Sequence, residues 1–210
     1  MSTYILGNGG YAQECFEQFV LGEVINDFGG FIILKDDKAQ LIDEEGINNF
    51  NYPADAKFLI GTGHRKWRKT FIKHFSKYYD ITVTHFPNWV AKNAHLSLTS
   101  SIGVGNVFNC FAMTNANARI GDFNLINCYA SIHHDVWMGS YNIFTTYATV
   151  LGYCEVGDDN WLGNATTITS KTEIGNDNTL SSGEHLFEDM GDRQFFRNGI
   201  ITNKPPKKDY

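Results

Sequence analysis

The most reactive grouping in the chain is His133-His134-Asp135. Histidine ordinarily titrates near neutrality, so it can take a proton from an attacking amine or hydroxyl. A carboxylate beside it fixes the ring tautomer and raises its basicity. His134 is the first candidate base, Asp135 its partner and His133 the alternative base; a solvated turn is the competing reading of the same residues. A second grouping is Gly7-Asn8-Gly9-Gly10, which follows the apolar segment Thr3–Leu6. Glycines there let backbone N–H groups at a helix start approach a phosphate. The match to a GxGxxG loop is partial, because the third glycine is missing, and a tight turn without a ligand serves equally well. The third grouping, Asp36-Asp37, follows the strand-like Phe31–Leu34. It has acceptors for a ribose or base, or it is a solvated turn.

The elements that must hold these groups come in two kinds. From residue 90 onward a six-residue step picks out Val90, Leu96, Ile102, Phe108, Thr114, Ile120, Ile126, Ile132, Met138, Phe144, Val150, Val156, Leu162, Ile168, Ile174 and Leu180. Only Thr114 in that column is not apolar. Six matches neither the period of a helix nor that of a lone strand. It fits a coil of three flat faces, each a short strand and a turn, with one apolar side chain per face pointing inward. Five aliphatic-Gly-x-x-Asn segments, from Ile102-Gly103 to Ile174-Gly175, recur every 18 residues, one full coil. Their asparagines, Asn106, Asn124, Asn142, Asn160 and Asn178, are expected to stack at one corner and hydrogen-bond along it. The glycine after each inward aliphatic is expected to free the backbone at the turn. This pattern defines a parallel β-helix of hexapeptide repeats. His134 lies two residues past the inward Ile132, so it should face outward near a corner. Cys110 and Cys128, one coil apart, should stack as thiols.

Residues 1–85 lack the six-step. They read as strand Thr3–Leu6, the glycine loop, helix Tyr11–Val20, strands at Glu23–Asn26, Phe31–Leu34 and Phe58–Ile60, and a basic helix over His64–Lys77; Ile81–Thr84 closes the unit. Strand, glycine loop, helix, strand is the opening of a nucleotide-binding α/β fold. The domain reading is therefore 1–85, 86–183 for the β-helix and 184–210 for a terminal cap and tail. Glu184–Asn198 interrupts the repeat and is a lid, a contact to a ligand or a plain cap.

Composition narrows the function. With 17 basic and 23 acidic residues the net charge is −6, which argues against coating nucleic acid. No apolar run approaches the roughly 20 residues of a membrane span. The start lacks the features of a signal peptide, and the four cysteines have no zinc spacing, so a cytoplasmic protein with reduced thiols is expected. The cations are unevenly spread: residues 93–192 hold only Arg119 and Lys171, while Arg65, Lys66, Arg68, Lys69, Lys73 and Lys77 share one segment and Arg193, Arg197, Lys204, Lys207 and Lys208 crowd the tail. Two small phosphate-binding patches, or solvated surface, account for that.

A glycine-loop α/β unit followed by a hexapeptide β-helix resembles the sugar acyltransferases of the bacillosamine and sialic acid pathways, the PglD/NeuD type. The segments that match are Ile5-Leu6-Gly7-Asn8-Gly9-Gly10, Phe31–Lys38, Ile60-Gly61-Thr62-Gly63 with Arg68, His85-Phe86-Pro87 and the stretch Ile126–Gly139, in which His134-Asp135 stands where the family has a His and an acid. The resemblance implies a Rossmann-like unit and a left-handed β-helix. It implies acetyl transfer from acetyl-CoA to the amino group of a nucleotide-linked, UDP-type amino sugar for surface glycans, with His134 and Asp135 catalytic and no metal. It further implies nucleotide-sugar contacts from Gly7, Asn8, Gly9, Gly10, Asp36, Asp37, Gly61 and Arg68. CoA contacts would come from Thr145, Gly152, Gly163, Lys204 and Lys207, in a homotrimer with active sites at subunit interfaces.

There are departures. Where the family often has a second histidine, about nine residues after the base, this chain has Ile143. The C-terminal segment is only a partial match. The alternatives are an O-acetyltransferase acting on sialic acid or a related sugar hydroxyl, and a non-catalytic sugar- or nucleotide-binding scaffold. A zinc carbonic anhydrase on this fold needs converging histidines that adjacent His133 and His134 do not supply. A dehydrogenase needs a longer first domain.

Overall fold

The computed structural model describes residues 2–35, 38–43, 46–49, 53–78 and 81–204. Asp36, Asp37 and Lys207 lie outside them. Contacts divide the chain into two units, residues 1–92 with 104–107, and residues 93–103 with 108–210.

In the first unit, β1 (Thr3–Leu6) leads through the glycine loop to α1 (Gly10–Cys15), which continues over Phe16–Leu21 as a wider turn with i to i+5 bonding. β2 (Phe28–Lys35), β3 (Lys38–Asp43) and β4 (Gly46–Asn49) form an antiparallel meander. β5 (Lys57–Ile60) precedes α2 (Arg65–Tyr78). The sheet order is β4-β3-β2-β1-β5, with β1 parallel to both β2 and β5. β1 is wholly buried, and Phe19, Ile32, Phe58, Leu59, Ile60 and Phe75 complete the apolar core around it.

Two expectations change here. Glu23–Asn26 is not a strand: Glu23 has φ +59, and the Val24 and Ile25 N–H groups donate to the Phe19 carbonyl. The helix end takes the donors that a ladder would need. The hairpin of β3 and β4 is an addition that the sequence reading lacked.

The second unit is a β-solenoid of the left-handed type with 18-residue coils. Each face contributes strands of two residues. On the first face Met113-Thr114, Ser131-Ile132, Thr149-Val150, Thr167-Ile168 and His185-Leu186 pair in parallel, one coil apart. The second face carries Arg119-Ile120, Trp137-Met138, Glu155-Val156 and Glu173-Ile174, the third Leu125-Ile126, Ile143-Phe144, Trp161-Leu162 and Thr179-Leu180. The inward column is buried from Phe108 to Leu180. Thr114 fits because its hydroxyl accepts the Ser97 N–H and bonds the Ser100 hydroxyl. The column runs on to buried Leu186, and a shortened coil follows, with Met190 beside Ile174 and Phe196 beside Leu180, each 16 residues on. The segment that interrupts the repeat thus still coils, and then folds back as the antiparallel strand Ile200–Asn203.

The asparagine column is fully buried and ladders as expected: the N–H of Asn142, Asn160 and Asn178 donates to the side-chain oxygen of the asparagine one coil earlier. The glycines act differently from expectation. Left-handed backbone occurs at Phe111, Asn117, Phe123, Tyr129, Asp135, Tyr141, Tyr147 and Tyr153, three residues past each inward side chain, and not at the repeat glycines. Those glycines serve close stacking: a Cβ on Gly121 would lie 2.8 Å from the Gly139 carbonyl oxygen.

Candidate active site

Buried Ile132 and Val136 pin the corner between the first and second faces. Between them the chain reverses direction, and Asp135 takes the left-handed conformation at φ +56, which Asp tolerates better than most residues. Coil-to-coil bonds hold the corner: Asp135 N–H donates to the Ala116 carbonyl and Tyr153 N–H to that of His134. The half-exposed His134 ring then meets its neighbour's carboxylate, with Nδ1 and Asp135 Oδ2 3.0 Å apart. A carboxylate accepts, so Nδ1 carries the proton in the neutral ring and Nε2 presents the lone pair.

Residues from adjacent coils complete the arrangement. Asn117 Nδ2 donates to Asp135 Oδ1 at 3.1 Å. The His134 bond first, then that of Asn117, holds the Asp135 carboxyl below the usual carboxylate range. The Tyr153 ring packs edge-on against the imidazole at 5.1 Å. Gly152 is the floor of the ring: a Cβ there would stand 2.7 Å from His134 Cε1 and 2.8 Å from Nε2. At some equivalent corner positions the N–H is taken by a side-chain oxygen one coil on, as Asp122 N–H is by Ser140 Oγ and Asn164 N–H by Ser182 Oγ. Among the described residues nothing accepts from the Gly152 N–H. Beside Asp135 a cavity of about 560 Å³ is lined by Thr99, Ser101, Asn117, Arg119 and Trp137, with the Arg119 guanidinium 4.5 Å above the Trp137 ring. His133 sits apart from this pairing; burial, then the charge of His134, lowers its pKa.

Of the remaining expected site residues, Thr145 and Gly163 lie on the corner between the third and first faces. The Thr145 hydroxyl donates to the Leu162 carbonyl at 2.7 Å, and Gly163 allows close approach to Ser182. Lys204 closes the last coil, its ammonium bonded to the Asp177 carbonyl and paired with the Asp177 carboxylate. In the first unit, Gly7, Asn8, Gly9, Gly10 and Gly61 do gather, around a cavity of about 450 Å³ shared with Thr62, Gly63, His64 and Trp67. It lies at the carboxyl ends of β1 and β5, where open α/β sheets bind ligands. Gly7, at φ +118, and Gly61 bring β1, β5 and α1 together, while nothing would touch a Cβ on Gly9 or Gly10. Arg68 is 1% exposed and donates to the Ile60 and Thr62 carbonyls, so it braces the loop beneath that cavity.

The sequence reading missed Asn117, Tyr153, Arg119 and Trp137, and it gave Gly152 no part in seating the base. The signal for Asn117 and Gly152 was the coil length: one stands 18 residues before Asp135 and the other 18 after His134. No group of three or more His, Cys, Asp or Glu able to hold a metal occurs among the described residues, and none of their helices is long and apolar enough to cross a membrane.

No protein-family model matches the chain, and no curated protein matches it in sequence. Solved structures do. A small α/β unit followed by a hexapeptide β-solenoid is the fold class, and solved structures of that class span nearly the whole chain. The acetyltransferase domain of PglB from Neisseria gonorrhoeae, in complex with acetyl coenzyme A, superposes with a TM-score of 0.75 at 19% identity, covering 92% of this chain and 94% of its own. PerB from Caulobacter crescentus, in complex with CoA and GDP-perosamine, gives 0.76 at 19%, covering 96% and 97%. WeeI from Acinetobacter baumannii gives 0.82 at 16%, covering 96% and 100%. At these identities the likeness is one of fold.

Proposed function

We propose that the protein is an acetyl-CoA-dependent sugar N-acetyltransferase with His134 as general base and Asp135 as its partner. The observation that carries this is the His134-Asp135 pair set over Gly152, whose N–H has no described acceptor. The acceptor amine attacks the thioester carbonyl carbon, and a C–N bond forms. As it does, the amine proton passes to Nε2 of His134, and Asp135 stabilises the imidazolium. The Gly152 N–H donates to the oxyanion. Collapse breaks the C–S bond, and the imidazolium returns its proton to the departing CoA thiolate.

The acceptor in this reading is a nucleotide-linked amino sugar, UDP-type. The uncovered backbone at Gly9 and Gly10 beside the first-unit cavity supports phosphate binding in a Rossmann-like manner. That PerB is held with CoA and GDP-perosamine, and the PglB domain with acetyl coenzyme A, supports the same pair of substrates here. CoA lies along the coils, with Gly152 its contact nearest the base. The assembly in this reading is a homotrimer with active sites at subunit interfaces, working in the cytoplasm. Residues 1–85 hold the nucleotide, 86–183 carry acetyl transfer, and 184–204 cap the last coil.

The test is thiol release from acetyl-CoA across UDP-, dTDP- and GDP-linked and free amino sugars. Release with a nucleotide-linked 4-amino or related sugar is expected. No release with any amine or hydroxyl acceptor returns the protein to the scaffold reading.

A further inference from the structure

The left-handed position recurs at every corner of the solenoid, and residues at equal corners stack one coil apart. At one corner that position holds Phe111, Tyr129 and Tyr147, with rings 4.9 Å apart in sequence along the stack. At another it holds Phe123 and Tyr141, 5.5 Å apart, followed by Asp159 and Asp177. At the third it holds Asn117, Asp135 and Tyr153. The aromatic stack is replaced by a polar pair at the corner that carries His134.

The polar pair extends into a chain. The Thr99 hydroxyl accepts the Asn117 N–H at 3.0 Å. Asn117 Nδ2 donates to Asp135 Oδ1 at 3.1 Å, and Asp135 Oδ2 meets His134 Nδ1 at 3.0 Å. Among the described residues each carboxylate oxygen has one partner, Oδ1 from the preceding coil and Oδ2 from the adjacent residue. Without Asn117, the carboxylate can turn about its χ2 torsion, which is broad for Asp. The hydrogen bond to Oδ1 leaves Oδ2 aimed at the imidazole. An exposed carboxylate left to itself exchanges such bonds with water, and a histidine loses its tautomeric bias when its acceptor moves.

We infer that Asn117 is a positioning residue for the base: by holding Asp135 from the preceding coil it keeps His134 in the Nδ1–H tautomer, with Nε2 open to the acceptor. This rests on His134 being the base proposed above, and its test is separable from that proposal. Asn117→Gly keeps the left-handed backbone and deletes the donor. Asn117→Asp keeps the shape and sets a second carboxylate against Asp135.

The tautomer of His134 is read by ¹⁵N NMR on the full-length protein without substrate, its signals assigned with His134→Ala. Wild type is expected to show the Nδ1–H form, and both variants a large Nε2–H population. Turnover is expected to fall about 10-fold, with KM for acetyl-CoA changed by less than about twofold. An unchanged tautomer in both variants overturns the inference, and it does so even if activity falls, since the role is then structural only. Near-normal turnover in His134→Ala contradicts the base assignment instead, and the tautomer comparison still decides the role of Asn117.

Discussion

The corner that carries His134 and the corner that carries Tyr129 are built on one backbone. Asp135 has φ +56 and Tyr129 φ +61, and each donates its N–H to a carbonyl of the preceding coil. What differs is the side chains on that backbone. At the Tyr129 corner three aromatic rings lie within 14° of parallel and stack. At the His134 corner the stack gives way to Asn117 and Asp135, and the residue before the turn is an imidazole over a glycine. The solenoid therefore offers equivalent sockets, and the proposed site is the one where a histidine stands before two polar corner residues that bond one another. Stability is expected to reside in the repeated corner and catalysis in the exceptional one.

The largest effect that sharpens this contrast is expected from Gly152→Leu. The nearest atoms a side chain would meet are those of the half-exposed His134 ring, so the fold should hold while the base is pushed aside. Turnover should fall by about 10²-fold or more with the melting temperature nearly unchanged, checked by thiol release and calorimetry. A variant that unfolds instead would make Gly152 a stacking glycine like Gly121.

Asp135→Asn should cost about 10-fold in turnover. Its carboxyl is held below the usual range, first by His134 and then by Asn117, so it stays charged and accepts from the ring down to low pH. The uncharged amide keeps the shape and removes that charge. KM for acetyl-CoA should change by less than about twofold while turnover falls. A turnover close to wild type breaks the pairing.

Tyr129→Asn tests the other corner. Asn suits the left-handed position, so the change isolates the lost rings. Stability should drop by about 1 kcal/mol for each ring contact, measured by denaturant unfolding, with turnover within about twofold. A loss of activity larger than the loss of stability would mean that the two corners are not functionally distinct.

Much of the solenoid was legible because its chemistry repeats. Apolar residues at a step of six and asparagines at a step of 18 announce themselves, and the asparagines and the apolar column from Phe108 on are buried. The left-handed positions were hidden, since Tyr141, Ala165 and Lys171 give no sign of positive φ; only coil stacking compels it. His134-Asp135 was legible as adjacent residues of matched chemistry. Asn117 was not, because its partner is near only after the chain has gone once around. In the first unit the glycine loop and β1 were plain, but the turn after α1 mimicked a strand through Val24 and Ile25. Arg68, one of six cations on its segment, was given a ligand contact by the family resemblance, and its burial and its bonds to the Ile60 and Thr62 carbonyls could not be read from the sequence.

The proposed removal of the acceptor's proton by His134 is tested by the turnover of His134→Ala, measured as CoA release with the best acceptor of the nucleotide-sugar panel, beside its melting curve. An exposed ring at a corner contributes little to the coil, so the melting curve should match wild type while turnover falls by about 10² to 10⁴. Turnover close to wild type in a normally folded His134→Ala protein would contradict the account.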